Sequence, residues 1–369
     1  KKENNLFVCT RQTGFNGKMC TGKRSFMNTA SQKERKENHT IDFWKLFFAL
    51  CIVGIHTNLV KIFPSEHTQW YVMQVVFRMG VPFFFVVSGY FLGRKLWNCT
   101  DRKEQWHCVG KYIIKLLPPY LVWSIANLIV TIPLWYRNLG GDLKAVHMMI
   151  IKTILFYPTG AMWFVLACVI GAFLLCLFWR HKIVMVFFAI AAHTFALFAN
   201  TYYFVIANTP LHKVIDRYLE IFLNPRKGIY VGFPLLMIGA FLAYPDLIRH
   251  FRASWAAVLT ILSAIALVLE MTVIYGKETK DDISLCISFL ILVPCMVVFF
   301  LQKDILHRIP MQWARELSTC IFYPHCFFRT LLRDYYHLEN PLVLYGITIA
   351  ICLVLFALSK KSRLIKKIV

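Results

Sequence analysis

Ten apolar stretches, each long enough for a membrane-crossing helix, follow one another along most of this 369-residue chain. A hydrocarbon core of about 30 Å requires about 20 helical residues. Because no water is present there to pair with the backbone, each segment must satisfy its own N–H and C=O groups, as a helix does. The sequence therefore predicts an all-α, polytopic membrane protein with about ten transmembrane helices.

The spans are placed by the length and continuity of the apolar runs. They cover about residues 43–61, 71–93, 112–134, 160–179, 182–203, 228–244, 254–275, 283–301, 314–332 and 341–358. A shorter apolar segment, 145–157, contains Lys152 and ends before Pro158. It is too short to cross the membrane, so we expect one short interfacial or re-entrant helix there.

Composition supports this class and divides the chain in two. The chain is 58% hydrophobic and 16% charged, whereas soluble domains carry about 25% charged residues. Residues 1–40 contain nine Lys or Arg and no apolar run, so they cannot bury a core. We predict a disordered basic cytoplasmic tail at 1–40 and a ten-helix membrane domain at 41–369, which ends in a short basic tail.

The distribution of charge predicts orientation and partners. The net charge is +22, but the basic residues lie between the spans and form no groove for nucleic acid, which we exclude as a partner. Basic segments at 1–40, 94–111, 180–182, 245–253 and 302–313 share one side of the membrane with the C-terminal tail; 204–227 is a basic exception on the other side. The positive-inside rule then places both termini in the cytoplasm. We expect a multi-pass protein of the plasma membrane, surrounded by lipid.

The twelve cysteines give no sign of a metal or disulfide framework. Most lie inside the spans, and they show neither a CxxC pair nor the Cys/His spacing of a zinc site. We therefore predict that they are small buried hydrophobic residues and that no metal is bound.

Polar residues follow one face of the first span. Asp42, Lys45 and His56 fall within about 80° of one another at about 100° per residue. Lys45 lies near the cytoplasmic edge, and His56 lies about 16 Å further along the helix. Because charge inside hydrocarbon is costly and marks a site or a pathway, we expect this stripe to be functional.

A second stripe occupies the ninth span. Arg315, Ser318 and His325 recur at helical spacing, with Phe322 between the last two. Again the cation is near the cytoplasmic edge and the histidine is deeper. This polarity suits a ligand that enters from the cytoplasm with its anionic end trailing.

Further polar residues are expected at the level of His56. Arg78 lies in the outer part of the second span, Trp163 begins the fourth, Arg226 precedes the sixth, and Glu270 lies near the outer end of the seventh. A carboxylate beside a histidine favours the imidazolium form and supports general-base catalysis. His56 and Glu270 are therefore a candidate pair.

These residues stand in motifs that resemble the acyltransferase family 3 membrane proteins. The motifs are IDFWKLFFALCIVGIHT, FRMGVPFFFVVSGYFLGRK, LLPPYLVW, GAMWFVLA, RKGIYVGFPLLMIGAFLA and ARELSTCIFYPH, together with Glu270. They occur in the same order as in the family, over about 41–358. The motif element most specific to the family is a cation followed, after ten residues, by a histidine, which here are Lys45 and His56. The late motif departs from the family because Phe322-Tyr323-Pro324 stands where an Ile-Tyr pair and a variable residue are usual.

The resemblance implies an enzyme that moves an acetyl or other short acyl group from cytoplasmic acyl-coenzyme A to a hydroxyl of a cell-envelope carbohydrate. Acyl-coenzyme A would be a donor substrate and not a tightly bound cofactor. We expect His56 to be the base, with Arg78, Glu270 and His325 as further catalytic residues. Lys45 and Arg315 are expected to bind the coenzyme A phosphates. A turn at Ser88-Gly89 would permit close backbone approach. The full set of residues expected to contact donor or acceptor is Lys45, Asp42, Ser88, Gly89, Trp163, Arg226, Arg315, Ser318 and Tyr323.

Transport of a small solute such as an amino acid is the alternative. Inner cations, central histidines and outer charges also suit a substrate pathway, and the related membrane halves of vancomycin-resistance serine racemases have been proposed to move an amino acid. Against transport, the sequence shows no repeated halves and no matched pair of interrupted helices. A purely structural scaffold would leave the buried ionisable residues unexplained.

Overall fold

Helices without any strand make up the part of the chain that the computed structural model describes, which is residues 38–226, 228–245, 247–280 and 283–368. Residues 1–37 of the predicted tail 1–40 are outside this part, whereas residues 38–40 are described and form the N-cap and the first two residues of the helix His39–His56. The described residues belong to one compact unit that begins at Asn38.

The main helices are labelled α1 to α14 in chain order. They are α1 His39–His56, α2 Glu66–Leu96, α3 Arg102–Asn138, α4 Leu143–Leu155, α5 Met162–Phe178, α6 Lys182–Phe198, α7 Leu211–Phe222, α8 Gly228–Leu242, α9 Ala253–Ile274, α10 Phe289–Gln302, α11 Gln312–Phe322, α12 His325–Thr330, α13 Pro341–Lys361 and α14 Arg363–Ile368. Single turns at Leu59–Ile62, Tyr203–Ile206 and Leu247–His250 connect some of them.

The predicted all-α membrane architecture is confirmed. Within the described residues, α1, α2, α3, α9 and α13 are each long and apolar enough to cross a membrane. The shorter apolar helices α5, α6, α8 and α10 match four further predicted spans. The apolar segment expected between the third and fourth spans is helical as well, as α4.

The remaining predicted span, 314–332, is not one helix. It is divided into α11 and α12, with a break at Tyr323-Pro324, and a π-helical turn, Leu331–Tyr335, follows α12. Proline has no N–H to donate to the preceding turn, so a continuous helix is disfavoured here. The break leaves carbonyl groups at the end of α11 that other donors can use.

The first helix is fixed at its N-terminus by a residue distant in sequence. The carboxylate of Asp304 accepts hydrogen bonds from the Thr40 amide at 2.9 Å, the Thr40 hydroxyl at 2.9 Å and the His39 amide at 3.2 Å. Partial burial acts to raise the pKa of Asp304, but these hydrogen bonds outweigh it and hold that pKa below its ordinary value. A carboxylate at this position satisfies N–H groups that have no partner within the helix.

Close packing of glycine residues joins α2 to α8 and corrects one prediction. Ser88 and Gly89 are in the middle of helix α2 and do not form a turn. A Cβ atom on Gly89 would overlap the Leu236 carbonyl of α8, and one on Gly239 would overlap the Val86 carbonyl of α2. The close backbone approach at Gly89 is therefore made by a neighbouring helix, as in small-residue helix crossings.

Helix α2 is irregular where it meets α1. A π-helical turn, Val72–Val76, and a 3-10 turn, Phe77–Met79, precede its regular part. The Phe77 ring packs on α1 at Gly54, where a Cβ atom would lie 2.7 Å from that ring. This contact positions the turn that carries Arg78.

Candidate functional site

Two groups of polar residues lie at opposite ends of α1. The first, which we call the cationic cluster, consists of Asp42, Lys45 and Arg315. The Lys45 ammonium lies 3.2 Å from the Asp42 carboxylate, and the Arg315 guanidinium lies 3.6 Å from the other oxygen of that carboxylate. The cytoplasmic ends of the sequence stripes on α1 and α11 thus meet at Asp42.

Exposure differs within the cationic cluster. The Asp42 side chain is 4% exposed and that of Lys45 is 15% exposed, whereas that of Arg315 is 42% exposed. Buried charges require partners, and Asp42 supplies one for both cations. Lys45 also lies over the Phe91 ring, 5.1 Å from its centroid. The Ser318 hydroxyl donates to the Arg315 carbonyl at 2.8 Å, so it is engaged within its own helix.

The second group, the histidine cluster, consists of His56, His325, Cys326 and Arg329. The rings of His56 and His325 have their centroids 5.2 Å apart. His325 is fully buried, and its Nδ1 lies 2.7 Å from the Phe322 carbonyl and 3.1 Å from the Ile321 carbonyl. Because a carbonyl only accepts, Nδ1 carries the proton and Nε2 is left as an acceptor.

The helix break explains this orientation of His325. The carbonyls that its ring uses belong to the last turn of α11, just before Tyr323-Pro324. Such carbonyls have no partner within the helix. The Nε2 atom then lies 3.2 Å from the Cys326 sulfur. The departure from the family motif at Phe322-Tyr323-Pro324 thus coincides with the feature that orients the histidine.

Sequence reasoning did not select Arg329. Its Nε atom donates to the His56 carbonyl at 2.9 Å, and its guanidinium lies 3.7 Å from the Asp334 carboxylate. A signal was present, since Arg329 follows His325 by four residues, which places both on one helical face inside an apolar span. Arg329 therefore holds the C-terminal end of α1 against the segment that follows α12.

A cavity of about 320 Å³ adjoins the histidine cluster. His56, Cys326 and Arg329 contribute to its lining. Its other polar lining residues include Asn127, Thr131, Thr153, Thr159, Thr330 and Asp334. A second cavity of about 490 Å³ shares Leu134 and Asp334 with it and is lined by charged residues of both signs, among them Lys61, Arg137, Arg333 and Glu339. The histidine cluster thus lies beside space with hydrogen-bonding walls.

Trp163 and Arg226, two of the predicted site residues, pack against the wall of the smaller cavity from outside. Tyr157 lines it and stacks on Trp163, with ring centroids 6.2 Å apart and planes at 16°. The Arg226 guanidinium lies 5.7 Å from the Tyr157 ring and 5.6 Å from the Trp163 ring. Trp163 and Arg226 therefore support the cavity wall through Tyr157.

Glu270 has a different environment from the one predicted. Its carboxylate accepts from the Ile287 amide at 2.8 Å and the Ser288 amide at 3.0 Å, and it also accepts from the Tyr202 hydroxyl. It thereby caps the start of α10, where backbone N–H groups attract an anion. The ring that faces His56 is His325, so the predicted pairing of His56 with Glu270 is replaced.

Arg78 lies on the 3-10 turn Phe77–Met79 of α2, and Cys286 is within electrostatic range of both Arg78 and Glu270. Ser88 and Tyr323 are grouped elsewhere. The hydroxyl of Tyr112, on α3, lies beside Ser88 and Cys168 and near Tyr323, which is 5% exposed. Four helical segments thus contribute polar groups to one buried position.

The histidine cluster also contains three side chains that can bind a metal ion, although they come from distant parts of the sequence. Ligand atoms of His56, His325 and Cys326 all lie within 4.8 Å of one another. The ten cysteines of the described residues are free thiols, and Cys326 is among those that are buried. Linear spacing gave no zinc pattern because His56 is on α1 and the other two residues begin α12.

Comparison with known proteins agrees with the motifs. The family model described as an acyltransferase domain matches residues 38–360. A serine/alanine racemase of Enterococcus gallinarum is 25% identical over 299 residues, which are 78% of this chain and 40% of that protein. An amino-acid racemase of Enterococcus faecalis is 28% identical over 211 residues, which are 54% of this chain and 28% of that protein. The chain thus spans less than half the length of these relatives, and no solved structure matches.

Proposed function

Because the chain belongs to the acyltransferase 3 family of membrane proteins, we propose that it transfers a short acyl group, such as acetyl, from acyl-coenzyme A to a hydroxyl of a cell-envelope carbohydrate. The observation that carries this proposal is the contact of His56 with His325 beside a polar cavity. O-acyl transfer needs a base next to space for a hydroxyl-bearing acceptor.

His56 is the general base in this proposal, and His325 is its positioning partner. The fixed Nδ1 proton of His325 leaves Nε2 as an acceptor. In the proposed reaction Nε2 accepts from the His56 ring in place of the Cys326 thiol, which lies 3.2 Å away. Such a partner orients the base and stabilises the imidazolium that forms when the base takes a proton. His325 thereby takes the orienting role that the sequence analysis gave to Glu270.

The reaction requires one proton transfer in each direction. His56 takes the proton of the acceptor hydroxyl while that oxygen attacks the thioester carbon, which produces a tetrahedral oxyanion. The carbon–sulfur bond then breaks, and the leaving coenzyme A thiolate recovers the proton from His56. Arg329 lines the same cavity as His56, so we assign to it the stabilisation of the oxyanion.

The donor is proposed to enter at the cationic cluster. Arg315 and Lys45 would bind the anionic phosphates of coenzyme A, with Arg315 at the more exposed position. Lys45 precedes His56 by eleven residues, a distance of about 16 Å along the helix. The acyl group, carried on the flexible arm of coenzyme A, would cross this distance.

The acceptor is proposed to approach from the opposite side of the membrane. The cavity of about 490 Å³ adjoins the one at His56, and its charged lining suits a polar glycan more than a lipid chain. The pattern of basic loops supports cytoplasmic termini in the plasma membrane. Donor and acceptor would then meet at the histidine cluster from two sides.

The proposal is tested with purified protein in lipid nanodiscs, labelled acetyl-coenzyme A and an envelope carbohydrate fraction. We expect coenzyme A release and label on the carbohydrate, both lost in His56→Ala. His107→Ala is the matched control, because His107 is an exposed histidine on α3 and should leave both unchanged. Absence of coenzyme A binding and release in the unmodified protein would refute the enzyme proposal.

Transport of an amino acid remains the second proposal, supported by a separate observation. The larger cavity carries cations at Arg137 and Arg333 and anions at Asp334 and Glu339, which together suit a zwitterion, and the relatives are named as amino-acid racemases. Uptake of labelled serine into proteoliposomes measures it. Transport would be favoured over catalysis by two results together: the unmodified protein takes up serine but transfers no acyl group, and Arg137→Gln abolishes the uptake.

A further inference from the structure

We infer that His56, His325 and Cys326 form a Zn²⁺ site, and that Zn²⁺ bound there inhibits the protein by occupying the ring nitrogens of the histidine pair. The binding itself is independent of the proposed function. The inhibition rests on that function, because it requires His56 to be the base of acyl transfer.

The separations of the three ligand atoms come close to those of a zinc site. Zn–N and Zn–S bonds of about 2.0 to 2.3 Å in a tetrahedron place neighbouring ligand atoms about 3.3 to 3.8 Å apart. The three ligand atoms here lie within 4.8 Å of one another, and His325 Nε2 is already 3.2 Å from the Cys326 sulfur. Since that pair is already close, the widest of the three separations involves His56, whose ring would move toward the other two ligands when the ion binds.

The orientation of His325 is that of a metal ligand. Ligand histidines almost always donate their second ring N–H to a carbonyl or carboxylate, which fixes the other nitrogen toward the metal. His325 Nδ1 makes such contacts with the Ile321 and Phe322 carbonyls. The helix break at Tyr323-Pro324 therefore points Nε2 toward His56 and Cys326 before any metal arrives.

Cys326 is fixed in place by its neighbour Gly160. A Cβ atom on Gly160 would lie 2.8 Å from the Cys326 Cβ, and Gly160 has a positive φ of +64°. Any larger residue would push the thiol away from the two rings. The cysteine is thus held at the histidines by a backbone that approaches closely, a position glycine tolerates without strain.

The ligand set favours zinc over magnesium or calcium. Two imidazoles and one thiol are nitrogen and sulfur donors, whereas magnesium and calcium prefer oxygen. His56 and Cys326 both line the cavity of about 320 Å³, so a fourth coordination position opens into space. On binding, Cys326 would release its thiol proton to solvent, and the thiolate would offset one charge of the ion.

Cobalt substitution tests the site without reference to catalysis. Purified protein is titrated with Co²⁺, and the thiolate-to-cobalt charge-transfer absorption is recorded. We expect one equivalent of binding with this absorption, its loss in Cys326→Ser, and its retention in Cys295→Ser, which changes a half-buried thiol on α10. No charge-transfer absorption in the unmodified protein, or unchanged absorption in Cys326→Ser, would overturn the inference.

The inhibitory consequence is measured separately by Zn²⁺ titration of coenzyme A release. We expect inhibition that a chelator reverses, and a half-inhibitory Zn²⁺ concentration at least tenfold higher in Cys326→Ser, since lost ligands weaken metal affinity. Equal sensitivity of the two proteins would reject the inhibitory role. If cobalt binds but no coenzyme A is released by any form, the acyl-transfer proposal fails while the metal site stands.

Discussion

The cationic cluster and the histidine cluster are built from the same two pieces of chain, α1 and the α11–α12 segment, yet they differ in chemistry. At the first, a buried aspartate lies between two cations at 3.2 and 3.6 Å. At the second, two imidazoles face each other beside a cavity. One pair of helical segments thus provides an end built on a buried ion pair and an end built on two facing imidazoles.

The two clusters suggest that α1 contributes to donor binding at one end and to catalysis at the other. Asp42 fixes its cations, which suits steady binding of an anionic group, because ion pairs hold the side chains in place. At the histidine cluster the Nδ1 proton of His325 is directed to the Ile321 and Phe322 carbonyls, so its Nε2 atom faces Cys326 as an acceptor. The four predictions below test this division of binding from catalysis.

Removing the base should have the largest effect. In His56→Ala, kcat at saturating acyl-coenzyme A should fall by about 10² to 10⁴, the usual contribution of a general base, while donor KM stays within about twofold. Initial rates of coenzyme A release measure both quantities. A large rise in donor KM with little change in kcat would place His56 in donor binding and remove the distinction between the two clusters.

Arg329 should come next. Arg329 is assigned the stabilisation of the oxyanion at the cavity of His56, and the loss of one such donor lowers kcat by about 10² to 10³. Arg329→Gln should therefore lower kcat by about 100-fold, and Arg329→Lys should be intermediate because it keeps charge but not the planar donor. Arg308→Gln changes an exposed arginine and serves as the control. Equal rates in both Arg329 variants and the control would separate Arg329 from the catalytic group.

Lys45 should affect binding and not turnover. Lys45→Met keeps the apolar stem and removes the charge, so donor KM should rise about tenfold with kcat nearly unchanged. Lys95→Met, at an exposed lysine near the end of α2, tests whether surface charge alone gives the same result. A fall in kcat without a change in donor KM would contradict the assignment of this end to the donor.

The smallest effect concerns the anchoring of α1, on which both clusters depend. Asp304→Asn should lower the free energy of unfolding by about 1 kcal/mol, as the loss of a helix cap does. Because the folded pKa of Asp304 lies below its ordinary value of 3.8, this stabilisation is present above that value and is lost as pH falls through the folded pKa.

Thermal unfolding at several pH values measures this effect. The unmodified protein and Asp304→Asn should differ at pH 7 and converge as the pH falls below 3.8. A difference that persists undiminished in acid would mean that the amide disturbs packing and that the carboxylate charge contributes little.

Helical periodicity placed candidate residues along α1 and α11. The stripe on α1 could be predicted because residues on one helical face stay together, and in the structure Asp42 of that stripe lies between Lys45 and Arg315. The prediction of one continuous helix over 314–332 was wrong, because the helix is broken at Tyr323-Pro324. Periodicity also failed for Glu270, whose partners are backbone amides of Ile287 and Ser288, since sequence patterns do not show which carboxylate caps which helix.

The amino-acid sequence was sufficient to predict the all-α membrane class, the order of the spans and the position of each polar residue along its helix axis. These follow from local rules, namely apolar length and a rise of about 1.5 Å per residue. The packing of the helices is needed to show that His325 and not Glu270 faces His56, that Arg329 contacts the end of α1, and that Cys326 lies beside both histidines. Those contacts join α1 to α12, more than 260 residues apart in the chain, and depend on how a broken helix packs, which no local pattern specifies.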